Sequence, residues 1–346
     1  MKALHYCFIN FLCGFSLPSS VVAFATPASF APHGTERYPT TLNLAAPVAA
    51  SVLANIALPS VKTVIAVNLL PTSILGYYKY EYGVSYAYGT ATATTAYLAL
   101  RALLSAPANA FTTMAQIHAA AIVFYGIRLN VFLFYREFCN ERFRRMRERI
   151  EDRQKKKEGN TGLIGRFLNR TPFILSCSML YAGLASPALT SAKLIQMGAA
   201  PTCEIAAMGY KALVGLTWFG FMLGAVGDLT KSFVKGKKGS DHLVTGGVYG
   251  VFRHPNYTGE MIGWSSSYLA SIVAILGTKK LEVLKALSPR LVLSSLGVVG
   301  ILFVLCAATT NLERRQREKY GERDEYKEWA KKSVSGPVLK AAETKN

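Results

Sequence analysis

In the stretch LVTGGVYGVFRHPNYTGEMIGW, residues 243 to 264, the side chains Arg253, His254, Asn256, Tyr257 and Glu260 stand at the entrance to an apolar run. Pro255 has a fixed φ suited to the first turn of a helix. A helix that starts there lines up Asn256, Glu260, Trp264 and Ser267 on one stripe, by i, i+4 and i, i+3 spacing. Glu260 then sits a turn inside a membrane segment, where an ionisable side chain costs about 3 kcal/mol or more and marks a functional site by default. Upstream, HAAAIVFYGIRLNVFLFYREF puts His118 and Tyr125 on one helical face, with Arg128 two turns from the basic end. A snorkelling arginine is the plain alternative there. The segment LGAVGDLTKSF places Asp228 and Lys231 one turn apart, and a surface ion pair worth less than about 1 kcal/mol is the alternative. Together these residues form three polar clusters at one membrane face, able to supply cations, hydrogen-bond donors and a carboxylate to a polar ligand.

The elements that must position them are apolar helices. Candidate spans fall near 64–78, 84–104, 111–135, 172–193, 204–226, 261–278 and 290–309, each close to the ~20 residues that cross a bilayer. The first is interrupted by Pro71 and could be re-entrant. Residues 136–170 carry twelve Lys or Arg against six acids, and two further basic segments follow, DLTKSFVKGKKGSDH and ERRQREKYGERDEYKEWAKKS. With this span count all three lie on one side, as the positive-inside rule requires.

Composition sets the solvent. The 346 residues are 51% hydrophobic and 17% charged, the signature of a polytopic, all-α helical membrane bundle of six or seven spans rather than a soluble α/β domain. The net charge of +19 clusters beside apolar spans, which suits topology and anionic lipid head groups better than nucleic acid. The six cysteines show no metal-ligand spacing, so neither a metal site nor a disulfide framework is expected.

Residues 1–23 read as a signal peptide, with the small-x-small pattern Ala23-Phe24-Ala25 at its end. Residues 24–60, rich in Ala, Ser, Thr and Pro with Glu36 as the single acid, resemble a transit peptide, and the pair resembles a bipartite plastid presequence that opens on Phe24. A secretory signal or first membrane anchor is the alternative, with the endoplasmic reticulum as the membrane. Beyond lie N-terminal spans at 61–110, a membrane domain at 111–340 and a tail at 341–346.

TGGVYGVFRHPNYTGEMIGW resembles the signature of the DUF1295 family, membrane relatives of the steroid 5-alpha-reductase C-terminal domain. FYGIRLNVFLFYRE is similar to that family's Trp-Gly-x-Arg-Leu segment, with Tyr125 where Trp is usual, and GDLTKSF to its Ala-Asp-x-Gln-Lys-x-x-Phe, with Thr230 in place of Gln. The tail LERRQREKYGERDEYKEWAKKSVSGPVL fits the closing region, from which Trp329 and Gly336 depart. The likeness covers residues 115 to 340.

The resemblance implies a helical membrane reductase with NADPH in a polar pocket, delivering hydride to a carbon-carbon double bond of a hydrophobic, sterol-, isoprenoid- or lipid-like substrate. No Gly-x-Gly-x-x-Gly unit is present to seat a pyrophosphate on a helix N-terminus. Arg128, Lys231 and Arg253 would supply charge, with Arg253 forking onto a phosphate. His254, Asn256 and Tyr257 suit ribose and carboxamide, Asp228 and Glu260 would orient donors, and Trp264 completes the stripe. In the steroid reductases a Glu and a Tyr nearer the N-terminus bind the substrate carbonyl. Here GYYKYEYGVSYAYG offers Tyr80, Glu81 and Tyr86, with an interfacial aromatic belt as the alternative. An S-adenosylmethionine-dependent membrane methyltransferase of the isoprenylcysteine or phospholipid type shares the Arg-His-Pro-x-Tyr-x-Gly core and is the rival reading; a scaffold without catalysis is the third. The mature chain is expected to begin at or beyond Phe24, and N-terminal sequencing of the protein from its native membrane checks this, an intact Met1 being the contrary result.

Overall fold

The computed structural model describes residues 58–159 and 162–337, so the signal- and transit-peptide readings lie almost wholly outside the described residues. Ten α-helices follow in order: α1 (Val61–Tyr78), α2 (Tyr86–Leu104), α3 (Ala110–Cys139), α4 (Glu141–Glu158), α5 (Gly162–Gln196), α6 (Glu204–Lys238), α7 (Val248–Val251), α8 (Pro255–Leu276), α9 (Leu281–Tyr320) and α10 (Asp324–Lys332). A 3₁₀ turn, Tyr80–Tyr82, joins α1 to α2. Among the described residues the β-structure is one isolated bridge, Phe252 to Val334.

Local chemistry sets the helix ends. The Ser60 hydroxyl accepts from the Thr63 amide, and the Asn109 side chain from the Thr112 amide. Asn140 does two jobs at once: its backbone is extended, which stops α3, and its side chain accepts from the Phe143 amide, which starts α4. Pro255 opens α8 as the sequence predicts.

The seven expected spans are all helical, and α3, α5, α6 and α9 are each long and apolar enough to cross a membrane alone. The other three carry more polar and small residues, turned inward: Asn68 and Thr72 on α1, Thr92 and Thr95 on α2, Glu260 and Ser267 on α8 are all buried. The helices overrun the expected limits. At 1.5 Å per residue the 30 residues of α3 and 40 of α9 measure about 45 and 60 Å, longer than a hydrocarbon core of ~30 Å.

Contacts at the ends show alternating direction. Arg290, near the start of α9, donates to the Pro59 carbonyl just before α1, and the Thr202 amide before α6 donates to Gly277 after α8. At the other end Tyr77 meets Thr171, Arg142 meets Ser240, and Lys319 pairs with Asp241. The three basic segments therefore come together at one end of the bundle.

Small residues let backbones touch where apolar burial gives no preference for helix over lipid. A Cβ on Gly259 of α8 would stand 2.4 Å from the Gly220 carbonyl oxygen of α6, and one on Gly297 of α9 2.6 Å from the Gly183 carbonyl carbon of α5. Elsewhere the interior is aromatic: Trp264 lies 5.0 Å from Tyr125 and 4.9 Å from Phe221, ring centre to ring centre.

One charged junction ties α1, α4 and α5 together. Arg170, 1% exposed, binds Glu158 at 2.8 Å and Glu151 at 2.9 Å, and donates to the terminal α1 carbonyls of Gly76 and Tyr77. Burial pushes the Glu158 carboxyl up, but the Arg170 hydrogen bonds outweigh it and hold the group below the usual carboxylate range. A carboxylate depressed on folding stabilises the fold above its unfolded pKa of about 4.3, and that contribution is lost as pH falls through the folded value. In detergent, Glu158→Gln is expected to melt below wild type at pH 7, and the gap to close as pH falls below the unfolded pKa and through the folded one; parallel melting profiles would contradict this.

Candidate functional site

The three sequence clusters meet on α3, α6 and α8, with α2 as an unforeseen fourth contributor. Arg128 of α3 reaches Asp228 of α6 at 2.7 Å, with side chains only 4% and 15% exposed. Its guanidinium also lies 5.2 Å from the centre of the Tyr125 ring. Glu260, 9% exposed, stands across from them on α8, within electrostatic reach of both Arg128 and Asp228. Close helix approach makes this possible: a Cβ on Gly227 would be 2.9 Å from Pro255 and 3.0 Å from the Asn256 amide.

The buried polar atoms here are incompletely bonded. Nε and Nη2 of Arg128, the Tyr125 hydroxyl and the Trp264 indole nitrogen are all enclosed with no partner at hydrogen-bond geometry. Glu260 itself receives the Tyr88 hydroxyl at 3.5 Å, a long contact. Leaving a buried donor unsatisfied costs about 1–3 kcal/mol, so a cluster of them is unusual in a native interior.

The expected stripes do pack against each other. His118 Nε2 lies 2.8 Å from the Ser267 hydroxyl, and His118 Nδ1 3.5 Å from Tyr210, which donates to Ser191. Toward the basic end, Tyr257 sits among Glu260, Asp228 and Arg136, and Lys231 among Lys235, Asp228 and Arg136. Beyond Lys231 is a cavity of about 320 Å³ walled by Arg136, Arg142, Lys231, Lys235, Arg315 and Lys319, with Gln316 among them.

Arg253 and His254 turn to the C-terminal segment, and protein acceptors take Nε and Nη1 of the Arg253 fork. Arg253 Nε binds Glu313 at 2.8 Å, its Nη1 donates to the Ala330 and Ser333 carbonyls at 2.7 Å, and His254 Nε2 shares Glu313 at 2.8 Å. With the Arg253 amide bonded to Val334 and the Trp329 indole to the Tyr249 carbonyl, this motif clasps the C-terminal segment to the loop before α8.

Tyr80, Glu81 and Tyr86 are also placed apart from Glu260. The Tyr80 amide donates to Glu151, the Tyr86 hydroxyl to Glu137, and Glu81 stands 3.6 Å from Arg147. Burial pushes the Glu81 carboxyl up, with Arg147 pulling the other way. Tyr88 takes the inward position instead, because two residues along a helix turn a side chain through roughly 200°. The signal was present: Tyr88, Ala91, Thr92, Thr95, Ala96 and Ala99 form the buried stripe of α2 at helical spacing.

The model for a protein family of unknown function, DUF1295, matches residues 84–333. No curated protein and no solved structure matches the chain. The match starts earlier than the sequence motifs suggest and takes in α2, the helix that carries Tyr88. It spans 250 of 346 residues and every helix from α2 to α10, so the chain, an all-helical bundle with membrane-crossing helices, belongs to the DUF1295 family.

Proposed function

We propose that the protein is a membrane-embedded reductase that draws hydride from NADPH and delivers it to a carbon-carbon double bond of a hydrophobic substrate. The observation that carries this reading is the set of buried, incompletely bonded donors around Glu260: Arg128 Nε and Nη2, Trp264 Nε1 and the Tyr125 hydroxyl, the last two lying beside Tyr88 and the Tyr125 hydroxyl also beside Glu260. Such a set suits a ligand with several acceptor oxygens and an amide, and the nicotinamide ribose end of a dinucleotide has both. Glu260 adds the acceptor that a carboxamide or ribose hydroxyl donates to.

Bound there, a reduced nicotinamide supplies the hydride. The chain's own residues do the rest. Arg128, fixed by Asp228, holds acceptor oxygens without reorganising. Tyr88 and Tyr125 lie 5.5 Å apart by ring centres and present hydroxyls beside Glu260, where one can donate to a substrate carbonyl and polarise the conjugated double bond. Trp264 and Phe221, both buried, keep water from the reacting end. Arg253 and His254 act at one remove, by positioning the loop that leads into α8.

S-adenosylmethionine carries a sulfonium and an ammonium against a single carboxylate, so a wall of donors that includes the Arg128 guanidinium suits it less well. A thermal-shift comparison of the detergent-purified chain separates the two readings. NADPH at 100 times its Kd is expected to stabilise by ~2.7 kcal/mol, and S-adenosylmethionine not at all; the reverse would overturn the proposal. Trp264→Phe and Tyr125→Phe each delete an incompletely bonded buried donor. They are expected to leave the ligand-free melting temperature unchanged or raised, while weakening NADPH by about 1 kcal/mol, roughly fivefold. Arg253→Ala is expected to act on the fold instead, lowering the melting temperature and exposing α10 to protease.

A further inference from the structure

We infer that α4 lies flat in the head-group layer of the membrane and that one of its three faces binds anionic phospholipid. The contacts of α4 run along it in order. Arg142 reaches Ser240, just beyond α6, and Arg147 reaches Glu137 in the last turn of α3 and Glu81 after α1. Glu151 then accepts from the Tyr80 amide and from Arg170, and Glu158 from Arg170 again. Its 18 residues measure about 27 Å, so the helix crosses the ends of its neighbours at the basic end of the bundle. Exposed apolar side chains bracket it: Phe134 and Phe138 before, Ile164, Phe167 and Leu168 after, each more than half exposed. In a chain that crosses lipid such residues belong against acyl chains. The chain therefore enters and leaves α4 at the depth where acyl chains meet head groups.

Helical phase divides α4 into three faces whose centres stand about 120° apart, at about 100° per residue. Phe143, Arg147, Glu151 and Glu158 are buried against the bundle. Every other acid of the helix, Glu141, Glu148 and Asp152, falls within about 40° on the second face. The third face covers about 120° and carries Lys156, Arg149, Arg153, Met146, Lys157 and Ile150, all exposed, with no acid among them. Arg142 also lies on it but is held by Ser240. Among the described residues the ion pairs of α4 use Glu141, Arg145, Arg147, Glu151 and Glu158, so Arg149, Arg153, Lys156 and Lys157 make none.

Topology alone does not ask for this sorting. The positive-inside rule counts cations on one side whatever their helical phase, and acids weigh little in it. A helix laced by i, i+4 pairs in water would mix the two signs on each face. An acid-free arc with Met146 and Ile150 on it suits a surface that is anionic on top and apolar beneath. Head-group phosphates take the cations, and the two apolar side chains reach past them to the acyl boundary. An acidic protein would match the cations but would leave Met146, Ile150 and the bracketing apolar residues in water. Because the buried face fastens α4 to the bundle, lipid held on the outer arc binds the folded chain and not the unfolded one, and so stabilises it.

The test uses the full chain in nanodiscs of phosphatidylcholine, alone or mixed with phosphatidylglycerol, with melting temperature as the readout. Phosphatidylglycerol is expected to raise it. Two charge-matched double variants separate the faces: Arg153→Gln with Lys157→Gln on the acid-free arc, and Arg144→Gln with Lys155→Gln away from it. All four positions are exposed, so each gain is measured from the variant's own value in phosphatidylcholine. The first pair is expected to lose about half of the gain, two of the arc's four unpaired cations being gone. The second pair is expected to keep it. Equal loss from both pairs, or loss from neither, overturns the inference. Met146→Gln with Ile150→Gln is expected to reduce the gain with every charge in place, and an unchanged gain overturns the head-group depth. Equal stabilisation in phosphatidylcholine by inorganic phosphate or soluble polyglutamate, lost in the first pair, replaces the lipid with a free anion or an acidic polypeptide.

Discussion

A guanidinium enclosed in a bundle that crosses lipid must find a counter-charge, and the Arg128–Asp228 pair satisfies that requirement at 2.7 Å. Removing one partner of such a pair typically costs about 3–5 kcal/mol, because the other is left charged and buried. The pair therefore locks the relative height of α3 and α6. Gly224 makes room for it: a Cβ there would lie 3.4 Å from Arg128 Nη2 and 3.3 Å from the Asn256 carbonyl. Once α3 and α6 are in register, α8 has a single way to nest against α6 through its glycines, and that way points Glu260 and Trp264 at Arg128 and Tyr125.

The interior follows a division of labour. Glycine contacts between α6 and α8, between α5 and α9, and between α2 and α3 give close backbone approach. Large aromatic rings fill the interior beside these contacts, with Tyr88, Tyr125, Phe221 and Trp264 in one cluster. Rings of this kind hold shape while leaving their hydroxyl and indole groups only loosely bonded to one another.

Most of this architecture was legible in the sequence because it rests on short-range rules. Hydropathy located seven of the eight described helices of 18 or more residues, the charged α4 being the eighth, and the i, i+4 stripe from Asn256 to Ser267 predicted which side of α8 turns inward. Charge parity correctly brought the basic segments to one end. The misses are long-range. Nothing near Arg253 reveals that Glu313, 60 residues on, will bond its Nε. Tyr86 and Tyr88 look equivalent in a tyrosine-rich stretch until the helical phase of α2 is known. The cavity cations belong to three segments that each read as ordinary positive-inside charge, and only their convergence makes a site.

The clasp between the C-terminal segment and the loop before α8 has a consequence for biosynthesis. Tyr249 waits for Trp329, 80 residues later in the chain, and Arg253 waits for Ala330 and Ser333. At 5–20 residues per second a ribosome needs about 4–16 s to supply them. During that interval α8 can insert, yet the loop that leads into it has no fixed partner and its backbone stays wet. The pocket is therefore finished last, by residues that touch none of its inner side chains, and a chain that terminates before α10 inserts its spans without ever acquiring the finished wall.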